Sequence, residues 1–386
     1  MISCPHFPRC GGCSTLTTLY HEQLNVKHAL LRELFHPFTE TVPPVIGSPQ
    51  SEYYRHKVQL PFGTVGRGPS MKPTVGCYST DSHRVVDQHD CRIQDRDLST
   101  IAWTLRDWAV KTGLPVYNER TGNGFLRHIV LRKGAGTGEV LIGLVTNGGR
   151  IKGSRSVARL LLSMLEKKRL NDSTVVGIVQ NVNTRRTNVV LGNEEYLWWG
   201  RPYLKELLGE WKYKIGISTF FQVNPFQTPN LYNEVLRYIE PGSRVIDCFC
   251  GVGSIALWIS RKAAQVKGIE ENPESIRAAR TAAKLNGAEN VQFITGDAEA
   301  QLCRTVREGY SCVVVDPPRK GLTEGALAAI HDSGINRVVY VSCNPQTLRR
   351  DVEQLQSASF CLRSVQGVDM FPHTVHIEAV ALLERK

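Results

Sequence analysis

Apolar and polar positions alternate differently in the two halves of the chain. From residue 244 onward, apolar runs such as RVIDCFC, QVKGIE, CVVVDPP and RVVYVSC alternate with segments of helical spacing such as PESIRAARTAAKLNG. Strands that alternate with helices form parallel sheets with helices on both faces. Two further strands are predicted within residues 360–384 with no helix between them, which indicates an antiparallel pair. We therefore predict a doubly wound, Rossmann-like α/β domain over residues 211–386.

The preceding part of the chain is predicted to be rich in β-structure. Residues 125–146, FLRHIVLRKGAGTGEVLIGLVT, are two apolar runs around a Gly-rich turn, and residues 173–192 repeat that design with polar turn residues, as β-hairpins do. SVARLLLSMLEKKRL, between the two hairpins, has helical spacing. We predict a β-rich α+β region over residues 1–210. An amphipathic helix is predicted near residues 16–35, and we expect it to pack on the C-terminal domain.

Composition places this chain among globular proteins. Of its 386 residues 41% are hydrophobic and 22% charged, and no apolar run approaches the roughly 20 residues of a membrane span. The first residues, MISCPHFPRC, lack the apolar region of a secretory signal peptide. Eleven cysteines, an odd number, then indicate a cytoplasmic protein whose thiols serve metal binding or catalysis more often than disulfides.

Positive charge is concentrated in the first part of the chain. The net charge is +11, of which residues 1–200 carry +9 and residues 201–386 only +2. This distribution suggests that the first part binds a polyanion. The Arg185–Arg186 turn and the basic run 167–169 are candidate phosphate contacts. Charge alone does not separate RNA from DNA.

A glycine-containing loop marks a cofactor site. VIDCFCGVGSIA places Gly251 and Gly253 between a strand and a helix N-terminus, where the backbone can approach a ligand closely. Glu270 ends the next strand, where its carboxylate would accept hydrogen bonds from ribose hydroxyls. The same spacing fits a dinucleotide-binding loop. The later strand end Asp316-Pro317-Pro318 is typical of S-adenosylmethionine-dependent methyltransferases and favours that cofactor.

Cys343 occupies an unusual position in VVYVSCNPQTLRRD, residues 338–351. It stands where a buried strand is predicted to end and where Pro345 prevents the strand from continuing. Ligands of open α/β sheets bind at such carboxyl ends. Free cysteines are also common as small buried hydrophobic residues, so position alone leaves both a structural and a catalytic role open.

Five motifs in a fixed order decide between these roles. They are FQVNP (221–225), DCFCGVG (247–253), DPPRKG (316–321), SCNPQTLRRD (342–351) and DMFPHTVHIEAV (369–380). Together the motifs resemble the RNA uracil-C5 methyltransferase family, whose members form 5-methyluridine. The likeness covers nearly the whole chain. The chain begins at its first cysteines, so we expect it to lack the N-terminal TRAM domain of part of the family, which leaves the target uridine open.

The resemblance implies a mechanism that the chemistry of uracil makes understandable. Uracil C5 is a poor nucleophile, and a thiolate that adds to C6 converts the ring into an enolate whose C5 can attack a methyl group. A base must then remove the C5 proton. Cys343 matches the family's nucleophile, Glu378 its general base, and Asp316 the residue that hydrogen-bonds the uracil edge. The residues implied to contact S-adenosylmethionine, with Asp316 beside them, are Gln222, Phe249, Ser254, Glu270 and Asp297.

Cysteines near the N-terminus form a candidate metal site. By spacing alone, Cys4-x5-Cys10-x2-Cys13 suits zinc and an iron–sulfur cluster equally, since both prefer four thiolates. The resemblance to the 23S rRNA branch of the family implies a 4Fe–4S cluster with Cys91 as fourth ligand and Cys77 as the spare candidate. Methyl transfer needs no redox step, so we expect a structural or RNA-binding role for this cluster.

Three alternatives to a 23S rRNA uracil-C5 methyltransferase remain. A tRNA uracil-C5 enzyme is disfavoured because that branch generally lacks the cysteine cluster. An rRNA cytosine-C5 enzyme usually has a second cysteine where this chain has Pro318-Arg319. A catalytically degenerate iron–sulfur RNA-binding protein is disfavoured by intact Cys343, Glu378 and Asp316. We expect RNA, most specifically 23S rRNA, as the partner, neither DNA nor a membrane, and a monomeric protein.

Overall fold

The protein is represented by a computed structural model that describes residues 2–66, 68, 71–357 and 359–386. Its contacts divide it into two compact units. Unit 1 comprises the residues up to Thr17 together with Ser51–Leu207 and Lys214–Thr219; unit 2 comprises Thr18–Gln50, Leu208–Tyr213 and Phe220–Lys386. The predicted boundary at residue 210 therefore differs from this division, because residues 18–50 group with the C-terminal part.

Helices occur in both units. Those of the described residues are α1 (Tyr20–Phe35), α2 (Arg96–Thr112), α3 (Ser154–Glu166), α4 (Thr228–Arg237), α5 (Ser254–Ile259), α6 (Pro273–Asn286), α7 (Ala298–Val306), α8 (Glu324–Asp332) and α9 (Pro345–Ser357). None of these helices has the length and hydropathy that a membrane-spanning segment requires.

Strands make up most of unit 1 and alternate with helices in unit 2. Those of the described residues are β1 (Lys57–Val65), β2 (Lys72–Ser79), β3 (Ser82–Asp87), β4 (Leu126–Lys133), β5 (Glu139–Thr146), β6 (Thr174–Val182), β7 (Glu194–Gly200), β8 (Leu204–Leu208), β9 (Trp211–Ile215), β10 (Arg244–Cys248), β11 (Gln265–Glu270), β12 (Val291–Thr295), β13 (Cys312–Val315), β14 (Arg337–Ser342), β15 (Phe360–Val368) and β16 (Glu378–Arg385).

Strands β1 to β7, all in unit 1, form one sheet in the order β3-β2-β1-β4-β5-β6-β7, and β8 and β9 form a separate two-stranded sheet. Helices α2 and α3 cover one face, and the apolar core lies between them and the sheet around the fully buried Trp108. Asp95 caps the N-terminus of helix α2, because its carboxylate accepts hydrogen bonds from the backbone N–H groups of Asp97 and Leu98, and Gly113, with a φ of 64°, caps its C-terminus. A left-handed residue at that position is a common helix terminator and favours glycine.

The first predicted hairpin of unit 1 is present as β4 and β5, which pair antiparallel. The second prediction, a hairpin within residues 173–192, is wrong in its second arm, because β6 pairs antiparallel with Glu194–Gly200. Asparagine side chains explain the difference. Asn181 exchanges two hydrogen bonds with the backbone of Gly192, and Asn183 donates to the carbonyls of Val189 and Val190. These side chains satisfy backbone groups that a strand would otherwise pair.

The described strands of unit 2 form a sheet in the order β12-β11-β10-β13-β14-β16-β15. Pairing is parallel from β12 to β14, whereas β16 is antiparallel to both β14 and β15. The predicted doubly wound α/β fold with an antiparallel final pair is confirmed. Because β16 is antiparallel, its first residues lie at the same sheet edge as the last residues of β13 and β14.

Candidate active site

Cys343 and Glu378 lie at neighbouring strand ends of unit 2. Cys343 is the first residue after β14, and Glu378 is the first residue of β16. The antiparallel register pairs Ser342 with Ala379, so Cys343 and Glu378 occupy the next paired position. Asp316 directly follows β13, the other neighbour of β14. The three residues that the resemblance assigns to catalysis and uracil binding therefore share one edge of the sheet.

Burial changes the acidity of both carboxyl groups. Burial raises the pKa of Asp316 to about 7. It also raises the pKa of Glu378 to about 8, with a further contribution from the nearby Asp316, and Glu378 is only 4% exposed. A low-dielectric site disfavours the charged form of an acid. Near neutral pH each group can therefore hold or release a proton, as a general base must.

The Cys343 thiol is kept protonated by the same surroundings. Burial raises its pKa to about 11, and the carboxylates of Glu378 and Asp316 add to the effect, whereas Arg319 opposes it. Arg319 is held beside this strand end, because its carbonyl accepts a hydrogen bond from Asn344 at 3.3 Å and its guanidinium lies 3.2 Å from Nδ1 of His376. The sulfur must therefore lose its proton as it reacts.

The loop after β10 has the backbone of a ligand cradle. Phe249, Gly251 and Gly253 have φ angles of 64°, 54° and 76°, and such a left-handed conformation is uncommon for a residue like Phe249. Oε2 of Glu270 accepts a hydrogen bond of 3.2 Å from the backbone N–H of Gly251. Helix α5 begins at Ser254, whose hydroxyl lies 2.8 Å from that of Tyr232. The predicted cofactor loop thus lies between the carboxyl ends of β10 and β11.

This loop fits a nucleoside-bearing cofactor. A Cβ at Gly251 would meet no atom within 4 Å, so there is open space above its backbone, whereas a Cβ at Gly253 would lie 2.4 Å from the ring of Phe293. Glu270 is at the end of β11, as predicted for a ribose contact. Asp297 is exposed and caps α7 through the N–H of Ala300. Gln222, the remaining predicted contact, is half-buried before α4.

Two further features of unit 2 were not found from the sequence. Asp247, the last but one residue of β10, is fully buried, and burial together with Asp316 raises its pKa well above the ordinary value. The sequence could have indicated Asp247, because this residue is the first of the motif DCFCGVG. The second feature is the set of buried polar contacts that α1 makes with the segment before Glu378, for which no local pattern exists.

Helix α1 contacts that segment through a buried polar network. Nζ of Lys27 lies 2.7 Å from Oδ1 of Asp369, and the Tyr20 hydroxyl donates to Oδ2 of the same carboxylate at 2.9 Å. Oε1 of Gln23 accepts the backbone N–H of His373 at 2.9 Å. Lys27 is 4% exposed and Asp369 fully buried. Helix α1 thus fixes the turn between β15 and β16, from which Glu378 follows.

The N-terminal cysteines lie within electrostatic range of one another in unit 1. A hydrogen bond from Cys77 lowers the pKa of Cys10 to about 7. Burial raises the pKa of Cys13 to about 12, and Cys91, Cys10 and Cys4 add to this shift. Within the described ranges, however, no group of three or more His, Cys, Asp or Glu side chains is arranged to hold a metal ion. The metal assignment therefore stays a prediction.

Comparisons with known proteins define the class. Residues 209–386 match the family model described as tRNA (uracil-5-)-methyltransferase. An RNA methyltransferase of Leptospira interrogans is 43% identical over 99% of this chain and 98% of its own length. One of Halalkalibacterium halodurans is 38% identical over 99% of this chain and 83% of its own. The fold and site are those of an S-adenosylmethionine-dependent RNA methyltransferase.

A solved structure narrows the class to a family. The tRNA (uracil-54, C5)-methyltransferase of Pyrococcus abyssi, solved in complex with S-adenosyl-L-homocysteine, superposes with a TM-score of 0.76 at 28% identity, covering 97% of this chain and 86% of that one. This chain belongs to the RNA uracil-C5 methyltransferase family. Its cofactor is accordingly S-adenosylmethionine.

Proposed function

We propose that this protein methylates C5 of a uridine in 23S rRNA and forms 5-methyluridine through a covalent bond between Cys343 and uracil C6. The observation that carries the proposal is the meeting of Cys343, Glu378 and Asp316 at one sheet edge. A nucleophile, a base with a pKa near neutrality and a group for the uracil edge are the parts that this reaction needs.

The residues divide the reaction between them. As the Cys343 sulfur bonds to C6, its proton passes to solvent water and the C5–C6 electron pair moves to O4 as an enolate, while Asp316 contacts the uracil edge. S-adenosylmethionine, when bound, supplies the methyl group that C5 receives. Glu378 as a carboxylate then removes the C5 proton, the C5–C6 double bond re-forms and the C6–S bond breaks. Cys343 is regenerated.

The cofactor is proposed to lie along the carboxyl ends of the parallel strands. Phe249 and Ser254 flank Gly251 in the chain, and the backbone of Gly251 has open space above it. Glu270 ends β11, and Asp297 follows β12 by two residues. Gln222 completes this set. Carboxylates at these positions can accept hydrogen bonds from ribose hydroxyls.

A denaturing gel tests the proposed chemistry. With RNA containing 5-fluorouridine and S-adenosylmethionine, the wild type should form a covalent protein–RNA species, since fluorine cannot leave as a proton does. Cys343→Ala should form none and lose at least a thousandfold in activity, because no enolate can arise. Glu378→Gln should accumulate the species even on ordinary RNA, since elimination is slow. A covalent species in Cys343→Ala would contradict the mechanism.

A tRNA uridine is the second candidate substrate. The name of the Pyrococcus abyssi relative supports it, whereas the N-terminal cysteines support rRNA through the resemblance. Release of tritium from 5-tritiated uridine distinguishes the two. Turnover on 23S rRNA transcripts and not on tRNA transcripts is expected, and the reverse result would assign the protein to tRNA.

A 4Fe–4S cluster held by Cys4, Cys10, Cys13 and Cys91 is a separate part of the proposal. It is supported by the spacing of these residues and by the mutual influence of their thiols. Anaerobically purified protein should be brown and contain about four irons per chain, and Cys13→Ser should remove the colour. One stoichiometric zinc in a colourless protein would contradict the cluster.

A further inference from the structure

Lys57 and Arg132 lie side by side on the sheet of unit 1. They are paired in the antiparallel register of β1 and β4. Their sequence neighbours Val58 and Leu131 belong to the core beneath α2 and α3. Because side chains alternate between the faces of a sheet, Lys57 and Arg132 both point to the face opposite those helices. Two positive side chains are therefore adjacent on one face.

Burial of these two cations is not compensated within unit 1. Arg132 is 3% exposed; its guanidinium donates to the carbonyl of Thr219, and its buried Nε–H has no hydrogen-bond partner among the described residues. Lys57 is half-buried, and burial together with Arg132, the charged group that acts on it, lowers its pKa to about 7. No carboxylate of the described part of the chain pairs with either side chain. Unpaired buried charge destabilises a native state.

The same sheet face offers a second contact for an extended ligand. His128 lies four residues from Arg132 along β4, which at strand spacing is about 13 Å. It borders a cavity of about 430 Å³ that is also lined by Tyr78, Tyr117, Arg186 and Glu119, whose carboxylate accepts a hydrogen bond from the Tyr78 hydroxyl. Aromatic rings with arginines are the surroundings in which nucleobases of single strands stack. A free anion would contact only the Lys57–Arg132 pair, whereas an RNA strand is long enough to contact both this pair and the cavity beside His128.

We infer that Lys57 and Arg132 form a phosphate-binding site for the RNA strand on unit 1. The ammonium of half-buried Lys57 would donate charge-assisted hydrogen bonds to phosphate oxygens, and the guanidinium of Arg132, buried beside it, would add positive charge to the site. A bound phosphate would provide the negative charge beside Lys57 and Arg132 that no described carboxylate provides. The inference rests on RNA being the substrate, as proposed above, and it locates one contact in the binding of that RNA.

The test compares two lysines on opposite faces of unit 1. Lys57→Met keeps the aliphatic chain and removes the charge, and Lys111→Met removes an exposed charge from α2 on the other side of the sheet. The dissociation constant of a fluorescein-labelled 12-nucleotide oligouridylate is measured between 50 and 200 mM KCl, without S-adenosylmethionine. Lys57→Met should weaken binding about tenfold and reduce the salt slope by about one. Lys111→Met should change neither, and Lys57→Arg should bind as the wild type does.

Several results would overturn the inference. Unchanged affinity and slope in Lys57→Met, or weaker binding with an unchanged slope, would show that Lys57 makes no phosphate contact. If inorganic phosphate raises the melting temperature of the wild type but not of Lys57→Met while RNA binding stays equal, the site takes a free anion. Because binding is measured without turnover, failure of the proposed methylation would not change these readings.

Discussion

Each unit contains a lysine that is buried or half-buried, and the charged neighbours of these two lysines have opposite signs. Lys27 of unit 2 is paired with the buried carboxylate of Asp369 and also reaches the carbonyl of Phe371. Lys57 of unit 1 has a second cation, Arg132, as its charged neighbour. A paired buried charge is costly to break, whereas an unpaired one is costly to keep. Lys27 is thus explained by the packing of α1, and Lys57 by a ligand.

Replacement of each lysine by methionine should have opposite effects on stability. Lys27→Met leaves Asp369 buried without its cation, so the free energy of unfolding should fall by about 3 to 5 kcal/mol. Lys57→Met removes an unpaired charge and should raise the melting temperature by about 2 to 4 °C. Urea denaturation and calorimetry of both variants measure these changes. If both substitutions lowered the free energy of unfolding equally, the conclusion that Lys27 is a paired and Lys57 an unpaired charge would be wrong.

Buried titratable groups of the two units should make the stability of the protein depend on pH in opposite directions, and Glu378 of unit 2 provides the first case. Burial raises the pKa of Glu378 from 4.5 to about 8, so the native state binds this proton more tightly than the unfolded chain does. The stabilisation it provides is full below pH 4.5 and is lost as the pH rises through 8. Glu378→Gln should therefore exceed the wild type in stability by about 2 to 4 kcal/mol above pH 8. Denaturation curves between pH 4 and 9 measure the difference, and parallel profiles would contradict it.

Lys57 predicts a slope of the other sign in another pH window. Its pKa falls from 10.5 to about 7 in the folded protein, so the unfolded chain binds more protons between these values. Wild-type stability should therefore gain a rising contribution from pH 7 to 10.5. Lys57→Met should lack this contribution, while Lys111→Met keeps it. Chemical denaturation at pH 7, 8.5 and 10 compares the three proteins.

The smallest expected effect concerns the acidity of the Cys343 thiol. Glu378→Gln removes a negative neighbour and should lower the pKa of Cys343, whereas Arg319→Ala removes a positive one and should raise it, each by about one unit. Iodoacetamide alkylation of Cys343, followed by peptide mass spectrometry across pH 7 to 11, measures both shifts. Shifts in the same direction would mean that conformational change, rather than charge, dominates.

The sequence predicts the parts of unit 2 that local pattern controls. Alternating apolar strands and amphipathic helices indicate the doubly wound sheet, and the absence of a helix before β16 indicates its antiparallel pairing. The position of Cys343 after a strand and before Pro345 also follows from local signals. Its meeting with Glu378 does not, because register depends on how strands 35 residues apart align. The motif resemblance supplied that pair, and the register of β14 and β16 accounts for it.

Long-range polar contacts are what local pattern could not predict. The partner of Lys27 lies 342 residues away, and no periodicity relates the two. Residues 187–192 look like a strand because they contain the apolar run 189–191, yet the side chains of Asn181 and Asn183 bind the backbone of this segment. Side-chain competition for backbone groups depends on the tertiary fold and overrides a short apolar run.

The packing of α1 has a consequence for synthesis of the chain. Most of unit 1, residues Ser51–Leu207, lies in the chain between α1 and the rest of unit 2, so α1 leaves the ribosome well before its sheet exists. Translation of the 342 residues that separate Lys27 from Asp369 takes about 20 to 70 seconds at about 5 to 20 residues per second. During that interval the apolar face of α1, with Leu31 and Phe35, has no sheet to cover. A chaperone that binds short amphipathic helices on nascent chains could bind the exposed apolar face of α1 during this interval.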